Sequence, residues 1–599
     1  MKRTIDRRTM LRYLAGAAVT GAWASGCDPE SAGTSASVSV PGYDASVSSG
    51  SPLTFHSPRI PAFVDAMPRL AIARGTSFEV TARNASHRFH RDLPKSKTFA
   101  YGSATYLGPV LEAQRDVPTL LAFHNQLGPH VFADDIDTTI HGTSEADRTT
   151  PRSVLHLHGG VTPPASDGHP EATLLPGESF THRYPNGQEA ACLWYHDHAM
   201  GITRLNAYAG LASLYLVRDA FDTGRTDNPL GLPAGDYELP LVLQEKGFDR
   251  DGYLQVRTTP VVPQGSWEGG GVADVGVVNG VCWPELRVAR GLYRFRMINA
   301  GSFSVWNLYF DNRMRFWVIG NDAGLLDAPV ATTSLKLSPG ERADVLVDFS
   351  GLSTGDGVVL CNDETPPGQA AILGQIAMPF FCRFRATSSR GFRGAVPSTL
   401  RGGPRQPPRL EPLPAPVKVR NLTLSQRTEL RFPPAIMTLN NLEFTTDDIE
   451  MPRQGTVEQW NFVNTTPDPH PMHVHLAQMR LLGRQAFVPS LYVLANPRPP
   501  IGTRWTPSAE PFVKGPMALP AAWEAGPKDT VRVDGHGITR VLVRFPTEAE
   551  LGFDPDAPFH PTGAVHHAGT GEPLQGYVWH CHIFDHEDHD MMLRFRTLA

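Results

Sequence analysis

The 599-residue chain reads as an all-β protein made of three sandwich-sized units. Short apolar or alternating runs bounded by turn residues recur along it, as at 70–73, 345–349 and 540–545. No long stretch holds a helical period. Glycine (55) and proline (54) are abundant enough to serve the many tight turns that short strands need. Apolar residues make up 41% and charged residues 19%, so a packed core is expected and disorder is not. The net charge of −6 gives no basic footprint, which excludes a nucleic-acid binder.

Residues 1–27 stand apart from the fold. Lys2, Arg3, Arg7 and Arg8 precede an apolar run over 13–23 that is too short to span a bilayer of ~30 Å. That layout is an export signal, and the arginine pair resembles a twin-arginine signal, which is associated with cargo exported already folded. Ala24-Ser25-Gly26-Cys27 resembles a lipobox, with Ala24 in the place of the usual Leu. A lipid anchor on Cys27 and a soluble periplasmic or extracellular product both stay open. Residues 28–52 read as a flexible tether.

Breaks near 219–232 and over 388–416 divide the body into units at 53–218, 219–387 and 417–599. The second break holds eight prolines or glycines between Gly391 and Pro408, and reads as a linker. Residues 551–574 read as a loop inserted between two strands of the third unit. Cys361 and Cys382 flank a loop and form a candidate disulfide pair, whereas Cys192 and Cys282 read as buried thiols.

Histidine placement carries the chemistry. Ten of the 23 histidines fall in four clusters: His156-Leu157-His158, His196-Asp197-His198, His470-Pro471-Met472-His473-Val474-His475, and His580-Cys581-His582 with His586. Residues two apart on a strand share a face. Each of the pairs 156/158, 196/198, 473/475 and 580/582 therefore points one way, which makes eight imidazoles. Cys581 must face the other way, and His470, three places from His473, faces away as well. Cys581, His470, His586 and Met591 supply a thiolate, two imidazoles and a thioether, the donor set of a blue-copper electron-transfer site. The eight paired imidazoles form a separate all-nitrogen site, large enough for three metals. Its halves come from the first and third units.

These four motifs resemble those of the multicopper oxidases. The runs 156–163, 194–204 and 580–588 are similar to the branch of bacterial spore-coat laccase, bilirubin oxidase and phenoxazinone synthase. The resemblance implies three cupredoxin-like Greek-key β-sandwich domains and four copper ions: one type 1, one type 2 and a type 3 pair. By motif position His156 and His473 would hold the type 2 copper, and His158, His196, His198, His475, His580 and His582 the type 3 pair. It further implies that Asp167 lies near the type 2 copper and that Glu587 relays protons to the oxygen site. The alternative for both acids is to support ligand histidines by hydrogen bonds.

The expected activity is oxidation of phenolic or other aromatic donors, one electron at a time, with dioxygen as acceptor. The expected protein is a monomer. A cuprous-ion oxidase ranks second, because no methionine-rich segment accompanies Met591-Met592. A structural envelope protein ranks third, because every ligand is present. Donors are expected over His470 or His586, between walls from 486–523, 551–574 and the linker.

Overall fold

The computed structural model describes residues 51–375, 378–428, 435–560 and 573–599. The export-signal, lipobox and tether expectations for residues 1–50 lie outside the described residues.

The fold is all-β: three cupredoxin-like sandwiches, each of two facing sheets. Six strands position the site. They are β1 (Leu155–His158) and β2 (Ala191–Asp197) in the first unit, and β3 (Arg342–Asp348) in the second. The third unit supplies β4 (His470–Val474), β5 (Thr530–Val533) and β6 (Tyr577–Cys581). β1 and β2 are antiparallel neighbours with His156 opposite His196. β4 lies between β5 and β6, with Met472 opposite Cys581 and His473 opposite His580.

Burial explains why some strands alternate and others do not. Ser77–His87 alternates exposed and buried residues at its start, as a strand with one wet face must. Every residue of β1, β2, β4 and β6 is buried. One face of each covers its own sandwich core, and the other presents histidines to a neighbouring unit.

Two segments pack differently from their sequence reading. Residues 54–68, at the start of the first unit, bind the second. Phe63 N donates to Trp283 O at 2.8 Å, and Ser57 N to Asp274 at 2.9 Å. The 388–416 break is a packed strap: Leu400 is buried and Leu410 N donates to Asp327 at 3.0 Å. Proline and glycine remove ladder donors and side chains, but these segments still find partners on the sheets they cross.

The candidate Cys361–Cys382 disulfide is not formed; both are free, buried thiols. The two residues lie on paired strands, but an irregularity sets Cys361 opposite Phe380 and Cys382 opposite Leu360. Neighbouring offset positions face opposite sides of a sheet, so Cys361 joins one core and Cys382 another.

Candidate metal centre

Strand pairing brings the histidine clusters together. Three groups of imidazoles have ligand atoms within 4.8 Å of one another: His156 with His158 and His473, His158 with His196 and His582, and His198 with His475 and His580. His470, Cys581 and His586 form a fourth group of the same compactness. All eleven side chains are buried.

In the thiolate group, Cys581 Sγ lies 3.4 Å from His470 Nδ1 and 3.7 Å from His586 Nδ1. The far nitrogens are held elsewhere. His470 Nε2 is 2.7 Å from Thr466 Oγ1, and His586 Nε2 donates to Gly269 O at 3.2 Å. Met591 is buried beside Cys581, and its backbone pairs with both Cys581 and His586. Asp590, at φ +63°, makes the tight turn that allows this.

The imidazole groups are oriented in the same manner. His156 Nδ1 donates to Asp167 O at 2.5 Å, and His473 Nδ1 to Asp529 O at 2.9 Å. His475 Nδ1 lies 2.6 Å from Asp167 Oδ2. Glu587 sets one oxygen 3.1 Å from His198 Nδ1 and the other 3.1 Å from His580 Nδ1. Asp167 and Glu587 thus both touch the imidazoles, one from each end. Burial pushes the Asp167 carboxyl well above the usual carboxylate range.

The motifs did not disclose Thr466, Gly269, Arg342, Asp529 or Thr530. None lies in a histidine cluster; Thr466 precedes His470 by four residues, and the others come from other strands or loops of the fold. The expected donor walls also differ. His586 meets Gly269 and Phe303 of the second unit, and Trp267 Nε1 donates to Asp585 O beside it at 2.7 Å. Phe559, in the 551–574 insert, packs beside Gly168 and His182, near the Asp167 loop. The strap over 388–416 lies against the first two units, where Arg401 pairs with Glu189. Within 486–523, Tyr492 and Trp505 pack on the third unit's own sheet with Val463 and Ile538. His589 stacks on Trp267 at 4.2 Å.

Multicopper oxidase family models match residues 146–221, 262–372 and 414–550. The chain is 34% identical to the laccase of Bacillus stratosphericus, over 88% of this chain and 98% of that one. It is 33% identical to the laccase of Bacillus subtilis, over 86% and 93%. The chain belongs to the multicopper oxidase family. The fold of this oxidase superposes on the McoA multicopper oxidase of Aquifex aeolicus with a TM-score of 0.67, at 24% identity, over 89% of this chain and 99% of that one.

The residues of the oxidase fit copper. Nε2 of His156, His196, His198 and His473 is buried without a hydrogen-bond partner, a costly state unless a cation takes the lone pair. Elsewhere two ring nitrogens face each other: His475 Nε2 and His580 Nε2 at 3.2 Å, and His158 Nδ1 and His582 Nε2 at 3.1 Å. Facing lone pairs repel unless a proton or a metal lies between them. Burial and neighbouring rings disfavour the cationic form, lowering His196 to about 3 and His158, His475 and His582 well below the imidazole range. Each of these rings therefore stays neutral, with one lone pair to offer a cation. Burial likewise raises the Cys581 thiol, and a coordinated cation reverses that by taking the thiolate.

Proposed function

We propose that this oxidase is laccase-like, withdrawing single electrons from phenolic or related aromatic donors and reducing dioxygen to two waters. The observation that carries the reading is the arrangement around β6. Cys581 faces His470 and His586, while His580 faces His475 on the other side and His582, just past the strand, faces His158. Copper, when bound, would supply the one-electron steps at the thiolate and the four-electron reduction of dioxygen among the imidazoles.

In this reading four coppers are held. Cys581, His470, His586 and Met591 take the type 1 ion, and His156 and His473 the type 2 ion. The type 3 pair divides between His158, His196 and His582 on one side and His198, His475 and His580 on the other. The covalent chain from Cys581 to its two neighbours joins the sites. Asp167 orients His156 and His475. Glu587, buried between His198 and His580, is placed to hold a proton destined for product water. Donors would approach His586 across the segment around Trp267–Gly269. The signal-like first 27 residues support an exported protein of the cell envelope, lipid-anchored through Cys27 if the lipobox is used.

One observation favours a second reading, oxidation of a metal cation. A small pocket beside Asp585, the neighbour of His586, is lined by two acids, Glu245 and Glu268, with Arg204 paired to Asp585 at its wall. Oxygen uptake by the copper-loaded protein, measured with phenols, bilirubin and cuprous ion side by side, decides between them. Uptake with cuprous ion alone would overturn the laccase-like reading, and no uptake with any donor would overturn both.

A further inference from the structure

The second unit supplies none of the eight imidazoles, yet one of its side chains holds a residue that touches them. Arg342, at the start of β3, is buried, and all five of its guanidinium N–H groups find acceptors. Nε donates to Cys192 O of the first unit at 3.0 Å. Within its own unit, Nη1 donates to Gly340 O at 2.9 Å and Nη2 to Asp322 O at 3.0 Å. Toward the third unit Nη1 donates to Asp529 Oδ1 at 2.6 Å, and Nη2 to Asp529 Oδ2. A single guanidinium therefore ties the three units together in the bidentate geometry that only arginine provides.

Asp529 passes this constraint to two rings of the imidazole site. Its Oδ1 lies 3.0 Å from His158 Nε2, and its carbonyl accepts from His473 Nδ1 at 2.9 Å. Thr530 Oγ1 sits between them, 3.0 Å from His158 Nε2 and 3.3 Å from His473 Nδ1. The two rings are stacked with centroids 3.6 Å apart. The far nitrogen of each is thus taken, and they turn opposite nitrogens toward the site: Nδ1 from His158 and Nε2 from His473.

The sequence around this node is shaped to admit it. A Cβ on Gly159, the residue after His158, would lie 2.5 Å from Asp529 Oδ2 and 2.6 Å from Arg342 Nη2. A Cβ on Gly340 would press on the rings of His582 and His158 at 3.0 and 3.2 Å. Lys528 adds a second cross-unit tie, 2.9 Å from Asp322 and 3.2 Å from Glu341. Arg342 and Lys528 thus meet Asp322, Glu341 and Asp529 where the second and third units join.

We infer that Arg342 and Asp529 are positioning residues through which the second unit selects the ring nitrogens that His158 and His473 present to copper. This rests on the reading that the eight imidazoles hold copper, but not on any donor or on turnover. Replacing such a partner typically weakens metal binding ~10–100-fold. Arg342→Met and Asp529→Asn are expected to lose imidazole-held copper to that extent in competition with a chelator. The blue absorption and its paramagnetic signal should be unchanged. Arg342→Lys keeps the charge with three donors and should fall between. Thr530→Val, which leaves the ion pair intact, should alter the paramagnetic spectrum of the non-blue copper alone.

Parallel loss of both kinds of copper in Arg342→Lys and Thr530→Val would mark a merely structural role and overturn the inference. So would wild-type copper affinity and an unchanged non-blue spectrum in these two variants, even if the harsher pair fails to fold. A wild-type protein that takes up no oxygen but shows these copper shifts would sink the laccase-like reading and leave the positioning role standing.

Discussion

The thiolate site and the imidazole site share one strand but depend on different parts of the molecule. His470, Cys581, His586 and Met591 all belong to the third unit: β4 pairs with β6, the helical turn Phe584–Glu587 carries His586, and the turn at Asp590 folds Met591 back. The second unit only covers that site, through Gly269, Trp267 and Phe303. The imidazole site draws four rings from the first unit, four from the third, and its clamp from the second. A site built on one sandwich tolerates motion between units. A site built across three does not, because a shift of a fraction of an ångström separates its nitrogens.

That contrast makes four measurable demands on the protein. The largest effect is expected from Cys581→Ser, which should abolish the blue absorption and donor oxidation while the eight imidazoles still bind copper, read as metal per chain. Loss of copper from both sites would show that they are not separable. Next, Glu587→Gln should keep the blue absorption and slow oxygen turnover by about 10²-fold, the scale of a lost acid–base group. Full turnover would remove the relay role and leave Glu587 as a support for His198 and His580.

A smaller, one-sided effect is expected from Thr466→Val, which removes the partner of His470 Nε2. Copper in the thiolate site should bind about 10-fold more weakly, with the non-blue spectrum untouched. The smallest effect concerns acid. Burial alone would raise the Glu524 carboxyl, but hydrogen bonds from Arg484 at 2.7 and 2.9 Å and nearby cations outweigh it and hold it at about 2. A depressed carboxylate stabilises the fold above its unfolded pKa of about 4.5, and that contribution fades as pH falls toward about 2. Between pH 6 and pH 4 the loss should be about 1 kcal/mol relative to Glu524→Gln in denaturant titrations. Glu524 lies on the turn whose Trp523 O accepts from Asn321 of the second unit at 3.4 Å. The imidazole-held copper should therefore leave before the blue copper as the pH drops.

Part of the molecule is legible along the chain. Short strands, turn residues and the lack of a helical period declare the all-β class, because side-chain period and turn chemistry are local properties. Strand parity is local as well. It follows from residues two apart sharing a face, and it is enough to separate Cys581 from His580 and His582.

The rest depends on long-range contact. Cys361 and Cys382 look like a disulfide pair along the chain, because nearness on strands says nothing about which face each side chain takes after an irregular register. Proline-rich loops look like the walls over His586, whereas the second unit supplies them. Arg342 and Asp529 carry no signature in their own neighbourhoods. An arginine near Gly340 and an aspartate after Lys528 look like surface charge until three sandwiches close around them. The order of residues is sufficient to name the donors and the faces they share, because ligand chemistry and strand period are written residue by residue. Which nitrogen His158, His198 and His475 turn inward is settled by the closed assembly, because their partners Asp529, Glu587 and Asp167 lie hundreds of residues away, whereas His196 and His580 find the carbonyl of the next residue.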